Sequence, residues 1–375
     1  MGVVERLVPG EVPREIMDAF AFDGQRTRSE PLHGGHIHQS SLVTCQGVRY
    51  VLQRLNDRVF PDLAALVSNV ERIVAHLGGR GGPELVTTRD GCLSYQAQDG
   101  SRWRSFRYLE GTVGRASPQD PADAYEAARA FALYVRTLAA LPGPPLDETI
   151  KAFHGLQPRL ASLDAVAFTD SVGRRIGVLR DLDRARRLSQ QIEDALRPWS
   201  GLLPVRTVHN DAKLSNVRFD IDSGQATFVI DFDTTMPGHV QYDVGELVRT
   251  VTTHAAEDAG QEDTVDFDLE LLEALSDGYL ASWPELERSE TEAMALAGPQ
   301  MAVENALRFL TDHLAGDHYY AVDRSNQNID RCRTQLRLAE LMLDTHTEAA
   351  ACFARSRRRS QSGGPEGTGP SQGRQ

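Results

Sequence analysis

The hydrophobic pattern of this chain changes period part-way along, and that change dictates a two-part architecture. Up to about residue 110 the apolar residues come in short alternating runs. Residues 41–45 and 49–55 flank Gln46-Gly47, and residues 92–96 and 102–109 flank Asp99-Gly100. Alternation around glycine-containing dipeptides predicts antiparallel hairpins. One helix interrupts them: Pro61 and Asp62 suit a first turn, Leu63, Leu66, Val70, Ile73 and Leu77 keep helical spacing, and the glycines of 78–82 end it. Beyond that the spacing is helical over 121–141, 156–196, 267–280, 290–314 and 328–345. A single β patch breaks the run, with 217–219 and 226–232 set around Asp222-Ser223-Gly224. The expectation is an α+β fold of two lobes, a small antiparallel sheet with one helix over 1–110 and a mainly helical lobe over 111–354. Residues 355–375, rich in Ser, Gly, Pro, Gln and Arg, read as a disordered tail.

Charge narrows the function. The formal net charge is −13, from 40 basic and 53 acidic residues, which argues against a general nucleic-acid binder. No apolar run approaches the roughly 20 residues of a membrane span, and the first 20 residues hold no uninterrupted apolar stretch, so a cytoplasmic protein is expected. Cys45, Cys92, Cys332 and Cys352 lie too far apart for a zinc or disulfide pattern. Lysine is nearly absent: Lys151 and Lys213 are the only two.

Lys213 falls inside the stretch with the most chemistry, Thr207-Val208-His209-Asn210-Asp211-Ala212-Lys213-Leu214-Ser215-Asn216. His-x-Asp followed by Asn five residues after the Asp matches the kinase catalytic loop. Phosphoryl transfer needs a carboxylate to accept an alcohol proton, cations on the developing phosphate charge, and oxygens for Mg²⁺. Asp211 suits the first, Lys213 the second, and the Asn216 carbonyl oxygen the third. His209 orients the loop. Across the hairpin, Phe228-Val229-Ile230-Asp231-Phe232-Asp233 reads as a buried strand delivering Asp231 to its tip near Asn216. Asp233 stands where protein kinases have Gly, and two readings remain open, a second metal ligand or a turn cap. In the first lobe, Gly34 and Gly35 lie where a loop would cover phosphates. Arg54 is the candidate phosphate cation, with Gln53 the alternative left by strand alternation, and Glu71 would be its ion-pair partner. Tyr108 and Leu109 sit where backbone would meet adenine.

These residues resemble the aminoglycoside-phosphotransferase-like kinases and, among them, the N-acetylhexosamine 1-kinases. The resemblance runs from about residue 34 to 343. It is carried by Tyr50-Val51-Leu52-Gln53-Arg54-Leu55-Asn56, by Val229 to Gly238 with Tyr242-Asp243-Val244-Gly245-Glu246, and by Arg308-Phe309-Leu310-Thr311-Asp312-His313-Leu314, Gly316-Asp317-His318-Tyr319-Tyr320 and Asn328 to Arg333. It implies a protein-kinase-like fold and an ATP- and Mg²⁺-dependent transfer to a sugar hydroxyl, the anomeric one of an N-acetylhexosamine. It further implies that His36, Arg308 and Tyr319 face the sugar. The chain departs from that family at His38-Gln39, Ala212 and Ser215. Two alternatives stand beside it: a kinase of an aminoglycoside or nucleoside antibiotic, serving self-resistance or biosynthesis, and a nucleotide-binding pseudokinase module.

Overall fold

The computed structural model describes residues 12–24, 26–32 and 37–362. The first lobe runs α1 (Arg14–Ala19), β1 (Arg26–Pro31), β2 (Gln39–Cys45), β3 (Val48–Arg54), α2 (Leu63–Leu77), β4 (Leu85–Val86), β5 (Tyr95–Gln96) and β6 (Arg102–Arg107). Its strands form one antiparallel sheet in the order β1-β2-β3-β6-β4, with β5 also on β6. Gln46 and Gly47 take φ of 47° and 89°, the positive pair that a tight hairpin between β2 and β3 needs. On β3, Tyr50 and Leu52 pack into a core with Ile16 of α1, Phe20 just after it, Val43 of β2 and Trp103 of β6. Alternation then turns Val51 and Gln53 to the opposite face. Helix α2 starts where Asp62 accepts the N–H groups of Ala64 and Ala65 and stops at Gly78, which is left-handed.

The chain leaves this sheet after Arg107. β7 (Thr112–Val113) belongs to a second sheet, and α3 (Pro121–Leu138), α4 (Leu156–Thr169) and α5 (Leu179–Leu196) follow. The helical stretch expected over 156–196 is two helices, because Asp170 adopts a left-handed C-cap and the chain turns through Gly173. Next come β8 (Arg206–Val208), β9 (Val217–Asp220), β10 (Ala226–Val229) and β11 (Met236–Gly238). β7, β9 and β10 make a three-stranded sheet, and β8 pairs with β11. The remainder is helical: α6 (Val240–Val251), α7 (Leu269–Ser282), α8 (Arg288–Ala293), α9 (Ala297–Ala315), α10 (Gln327–Asp344) and α11 (His346–Ser362).

Two glycines let these helices approach closely. A Cβ on Gly278 of α7 would lie 2.2 Å from the Tyr125 carbonyl oxygen of α3, and one on Gly245 of α6 would lie 2.4 Å from the Ala297 carbonyl oxygen of α9. The α+β, two-lobed expectation matches this architecture. The tail expected over 355–375 is corrected in its first part, where α11 carries residues 355–362 in helix, with Ser356 buried and Arg355 and Arg359 paired to Glu273 of α7, while 363–375 lie outside the described residues. Composition misled here because the apolar residues that anchor the helix, Ala349, Cys352 and Phe353, lie just before the polar stretch. Ser356→Glu should therefore cost about 2 kcal/mol or more, through overpacking and burial of a charge. The same substitution at exposed Arg358 should change stability by no more than about 0.5 kcal/mol. Urea unfolding of both variants checks this.

Candidate active site

The two short strand pairings of the second lobe bring distant residues side by side. β8 pairs with β11 through Val208 and Met236, β9 pairs with β10, and the Ile230 N–H donates to the Asn216 carbonyl at 2.9 Å. The loop between β8 and β9 is shaped by Asp243, buried in the first turn of α6. Its Oδ2 accepts the His209 N–H at 2.8 Å and its Oδ1 the Asn210 N–H at 2.6 Å. Consecutive N–H groups converge on one carboxylate because Asn210 is left-handed, with φ 62°. Burial lifts the Asp243 pKa to about 7, although both donors oppose it. The Asn210 side-chain amide donates to the carbonyls of Thr234 and Met236 at 3.0 and 3.3 Å, which ties the loop to the segment after Asp231. His209 lies behind the loop. Its Nε2 donates to the Ile230 carbonyl at 3.0 Å, its Nδ1 accepts the Asp211 N–H at 3.3 Å, and burial pushes its pKa down to about 4.

In front of the loop, Lys213 Nζ donates to Asp211 Oδ2 at 2.8 Å, and the Asn216 amide donates to the Asp211 carbonyl and carboxylate at 2.9 and 3.2 Å. Burial works to raise the Asp211 pKa, but the Lys213 charge and hydrogen bond outweigh it and hold the carboxyl below its ordinary value. Asp211 retains 22% exposure, on the wall of a cavity of about 600 Å³. Asp231, at the tip of β10, is also left-handed with φ 67° and lines the same cavity. Burial, then the nearby charges of Asp233 and Asp211, push its pKa up to about 6. An acid lifted in this way is relieved by a cation.

Asp233 is neither a turn cap nor an open metal ligand among the described residues, because both of its oxygens are taken. Arg104 of β6 donates Nη1 and Nη2 to Oδ1 and Oδ2 at 2.5 Å each, and His38 Nε2 lies 2.6 Å from Oδ2. His38 Nδ1 accepts the Asn56 N–H at 3.1 Å, so its proton sits on Nε2 and is donated to Asp233. Burial opposes ionisation, yet the Arg104 charge and the His38 hydrogen bond hold the Asp233 pKa well below the usual carboxylate range. This bond joins the two lobes. It also corrects the expected phosphate-side cation. Arg54 is exposed and reaches Asp99 at 3.5 Å, and Glu71 is exposed on α2 without an ion pair among the described residues. The sheet's inward cation is Arg104, whose Nε donates to Gln53 Oε1 at 3.0 Å. Its strand, Arg102-Trp103-Arg104-Ser105-Phe106-Arg107, holds three arginines, so the sequence alone did not single it out.

Arg308 and Tyr319 line the cavity. Arg308 stacks near the rings of Phe153 and Tyr320, at 5.5 and 5.6 Å, and has no hydrogen-bond or ion-pair partner among the described residues. Tyr319 is 54% exposed, whereas its neighbour Tyr320 is partly buried, with a hydroxyl that has no hydrogen-bond partner among the described residues. Of the two tyrosines, Tyr320 is the one packed into the helical core, with its ring 4.8 Å from that of Phe309. Tyr108 and Leu109 follow β6 as expected, but the Tyr108 N–H already donates to the Arg49 carbonyl and the Leu109 carbonyl accepts from Thr112 Oγ1. Gly34, Gly35 and His36 lie outside the described residues.

Residues 29–288 match a family described as phosphotransferase enzymes. The chain belongs to that family. The phosphotransferase is similar in fold to an aminoglycoside phosphotransferase from Alicyclobacillus acidocaldarius, with 15% identity and a TM-score of 0.59 over 96% of this chain and 100% of the other. It is also similar to a microcompartment-associated aminopropanol kinase, with 14% identity and a TM-score of 0.57 over 90% and 97%. A spectinomycin phosphotransferase solved with ADP and spectinomycin gives 10% identity and a TM-score of 0.57 over 92% and 97%. Family and fold make the chain a small-molecule kinase with the protein-kinase-like two-lobed architecture. None of its described helices is long and apolar enough to cross a membrane.

Removing Arg104 leaves Asp233 buried with one neutral donor. Arg104→Met in the phosphotransferase should cost about 3–5 kcal/mol, part of it recovered by adding Asp233→Asn. The wild-type contribution is present above the ordinary carboxylate pKa and is lost as pH falls through the depressed value of Asp233. The gap between wild type and Arg104→Met in urea unfolding should accordingly narrow in acid.

Proposed function

We propose that this phosphotransferase moves the γ-phosphoryl group of ATP, with Mg²⁺, to a hydroxyl of a sugar or sugar-containing small molecule, the anomeric hydroxyl of an N-acetylhexosamine being the finer reading. The observation that carries it is the placing of Asp211. This acid is kept ionised by Lys213 and is partly exposed on a cavity of about 600 Å³ that Arg308 and Tyr320 also line, the guanidinium and the hydroxyl without hydrogen-bond partners among the described residues. A cavity of that size accommodates a small polyhydroxylated acceptor beside a triphosphate end. The solved spectinomycin phosphotransferase with ADP, and an amicoumacin kinase with AMP-PNP and Ca²⁺, support nucleotide use by this fold.

In this reading Asp211 accepts the acceptor's hydroxyl proton as the oxygen attacks phosphorus. Lys213 turns from Asp211 to the transferring phosphoryl oxygens, which leaves the base more basic at the moment it is needed. Asp231 and the Asn216 Oδ1 would hold the metal. They suit it chemically: Asp231 is an acid without a hydrogen-bond donor among the described residues, and the Asn216 N–H groups are spent on Asp211, which leaves its oxygen for a hard cation. Bound Mg²⁺ would neutralise charge on the phosphates. His209, buried behind the loop, keeps the loop's shape and does not meet the acceptor.

The acceptor wall also bears on the rival substrate. A polycationic aminoglycoside would set its ammonium groups against unpaired Arg308, so a neutral acceptor is favoured. Asp211→Asn should bind ATP and unfold like wild type while transferring at least about 100-fold more slowly. ADP release across N-acetylhexosamines, other hexoses, aminoglycosides and nucleoside antibiotics, with phosphorus NMR of the product, tests the reading. Near-normal turnover by Asp211→Asn would sink the mechanism. Turnover of an antibiotic with silence on every simple sugar would reassign the acceptor.

A further inference from the structure

A buried histidine that the catalytic reading does not use links the acceptor wall to the catalytic loop. His154, just before α4, has a side chain only 3% exposed. Its Nδ1 lies 2.9 Å from Glu304 Oε1 on α9, and its Nε2 lies 2.8 Å from the Asn210 carbonyl oxygen. That carbonyl belongs to the peptide bond of Asp211. Neither oxygen carries a hydrogen of its own when Glu304 is ionised, so each ring nitrogen must donate. Glu304 is held as a carboxylate: its Oε2 accepts the Gly155 N–H at 3.0 Å, and Arg159 stands 4.0 Å from Oε1. Two donated protons on one imidazole make a cation.

The same elements build the acceptor wall. Glu304 lies one helical turn before Arg308 on α9, and Arg308 stacks on Phe153, the residue preceding His154. The His154 ring makes tilted contacts with Phe153 and with Tyr242 of α6, with centroids at 4.6 and 4.5 Å. A shift of α9 relative to the loop would thus break a charged hydrogen-bond chain as well as apolar contact.

We propose that His154, as a buried imidazolium, is a positioning residue that holds the Asp211 peptide in register with the acceptor wall through Glu304 and the Asn210 carbonyl. The proposal rests on Asp211 being the base. Loss of one proton from His154 leaves either Glu304 or the Asn210 carbonyl without its donor, so the register loosens. The groups facing the ring set the direction of its titration. Burial works against the charge, but Glu304 above all, then the Asn210 carbonyl and Glu246 of α6, raise the pKa above the ordinary value of about 6.5. Tyr242 faces it as an uncharged ring, Asp243 of α6 lies nearby, and Arg159 and Arg308 act on it through Glu304. A raised folded pKa means that the bond's contribution is complete below the unfolded value and is lost as pH rises through the folded one.

Two measurements test this on the full chain. In ¹⁵N-histidine-labelled protein, with His154→Gln used for assignment, both His154 ring nitrogens should be protonated at pH 7 and titrate above the ordinary histidine range. A neutral tautomer at pH 7 would overturn the proposal, and this readout needs no acceptor, so a wrong sugar leaves it intact. The second is the pH profile of ADP release from Mg-ATP, with N-acetylglucosamine and with water alone. His154→Gln should lower kcat about 10-fold or more with ATP affinity retained, and Glu304→Gln should move the alkaline limb to lower pH. A His154→Gln enzyme that is merely less heat-stable, with kcat and limb unchanged, would reduce the residue to packing and defeat the proposal. If His154→Gln fails to fold, the wild-type titration and the Glu304→Gln limb decide, and a limb that does not move overturns it.

Discussion

One buried carboxylate, Asp243, organises the residues on which the chemistry depends. Its two oxygens collect the N–H groups of His209 and Asn210, which the left-handed Asn210 allows to converge. Asp211 then leaves the loop on the opposite side from His209, one toward the cavity and the other into the core. The Asn210 amide completes the arrangement by binding the carbonyls of Thr234 and Met236, so the loop and the Asp231 segment are fixed to each other and not only to the scaffold. An adjacent-donor grip of this kind costs a buried charge, and burial lifts the Asp243 pKa to about 7 against the pull of both donors.

The parts of this site that are local in sequence could be read from it, and the parts that are not could not. Asp211, Lys213 and Asn216 share one loop, and the Asp222-Ser223-Gly224 turn returns Asp231 beside them, so spacing and a turn signal suffice. Arg104, His38 and Asp233 come from three separate segments, and Asp233 is 129 residues from Arg104. No periodicity reports such a meeting. The choice between Gln53 and Arg54 failed for a related reason. Alternation does separate them, but only the packing of Tyr50 and Leu52 under α1 says which face of β3 looks into the cleft. Helix α6 escaped notice because it buries polar residues, among them Gln241, Asp243, Glu246 and Arg249, which blur its apolar stripe. His154 and Glu304 lie 150 residues apart, and no local pattern reports that the fold buries them against each other.

The lysine-poor composition takes on meaning at the lobe junction. Protein kinases place a lysine from the third strand against an acid on the helix. Here the third strand offers Gln53, the helix acid Glu71 is exposed, and the inward cation is Arg104 from the neighbouring strand. A guanidinium can hold both oxygens of Asp233 and still donate its Nε to Gln53, which a single ammonium could not do in the same plane. The ion pair thereby lies between the lobes and not within the first, on an acid two residues from Asp231.

Charge pairing around the cavity then separates what the protein needs for itself from what it keeps for ligands. Asp211 has Lys213, Asp233 has Arg104 and His38, Arg249 has Glu246 and Glu257, and His154 has Glu304. Two charges on the cavity wall lack such a partner among the described residues, Asp231 and Arg308. An unpaired charge in a partly buried wall costs stability unless something arrives to meet it. The anionic vacancy lies beside the phosphoryl-transfer residues and calls for a cation. The cationic one lies on α9, between two aromatic rings, and calls for an oxygen-rich acceptor whose other polar atoms can meet the Tyr320 hydroxyl. Asp211 lines the same cavity as both, as the proposed transfer from a metal-bound nucleotide to a small acceptor requires.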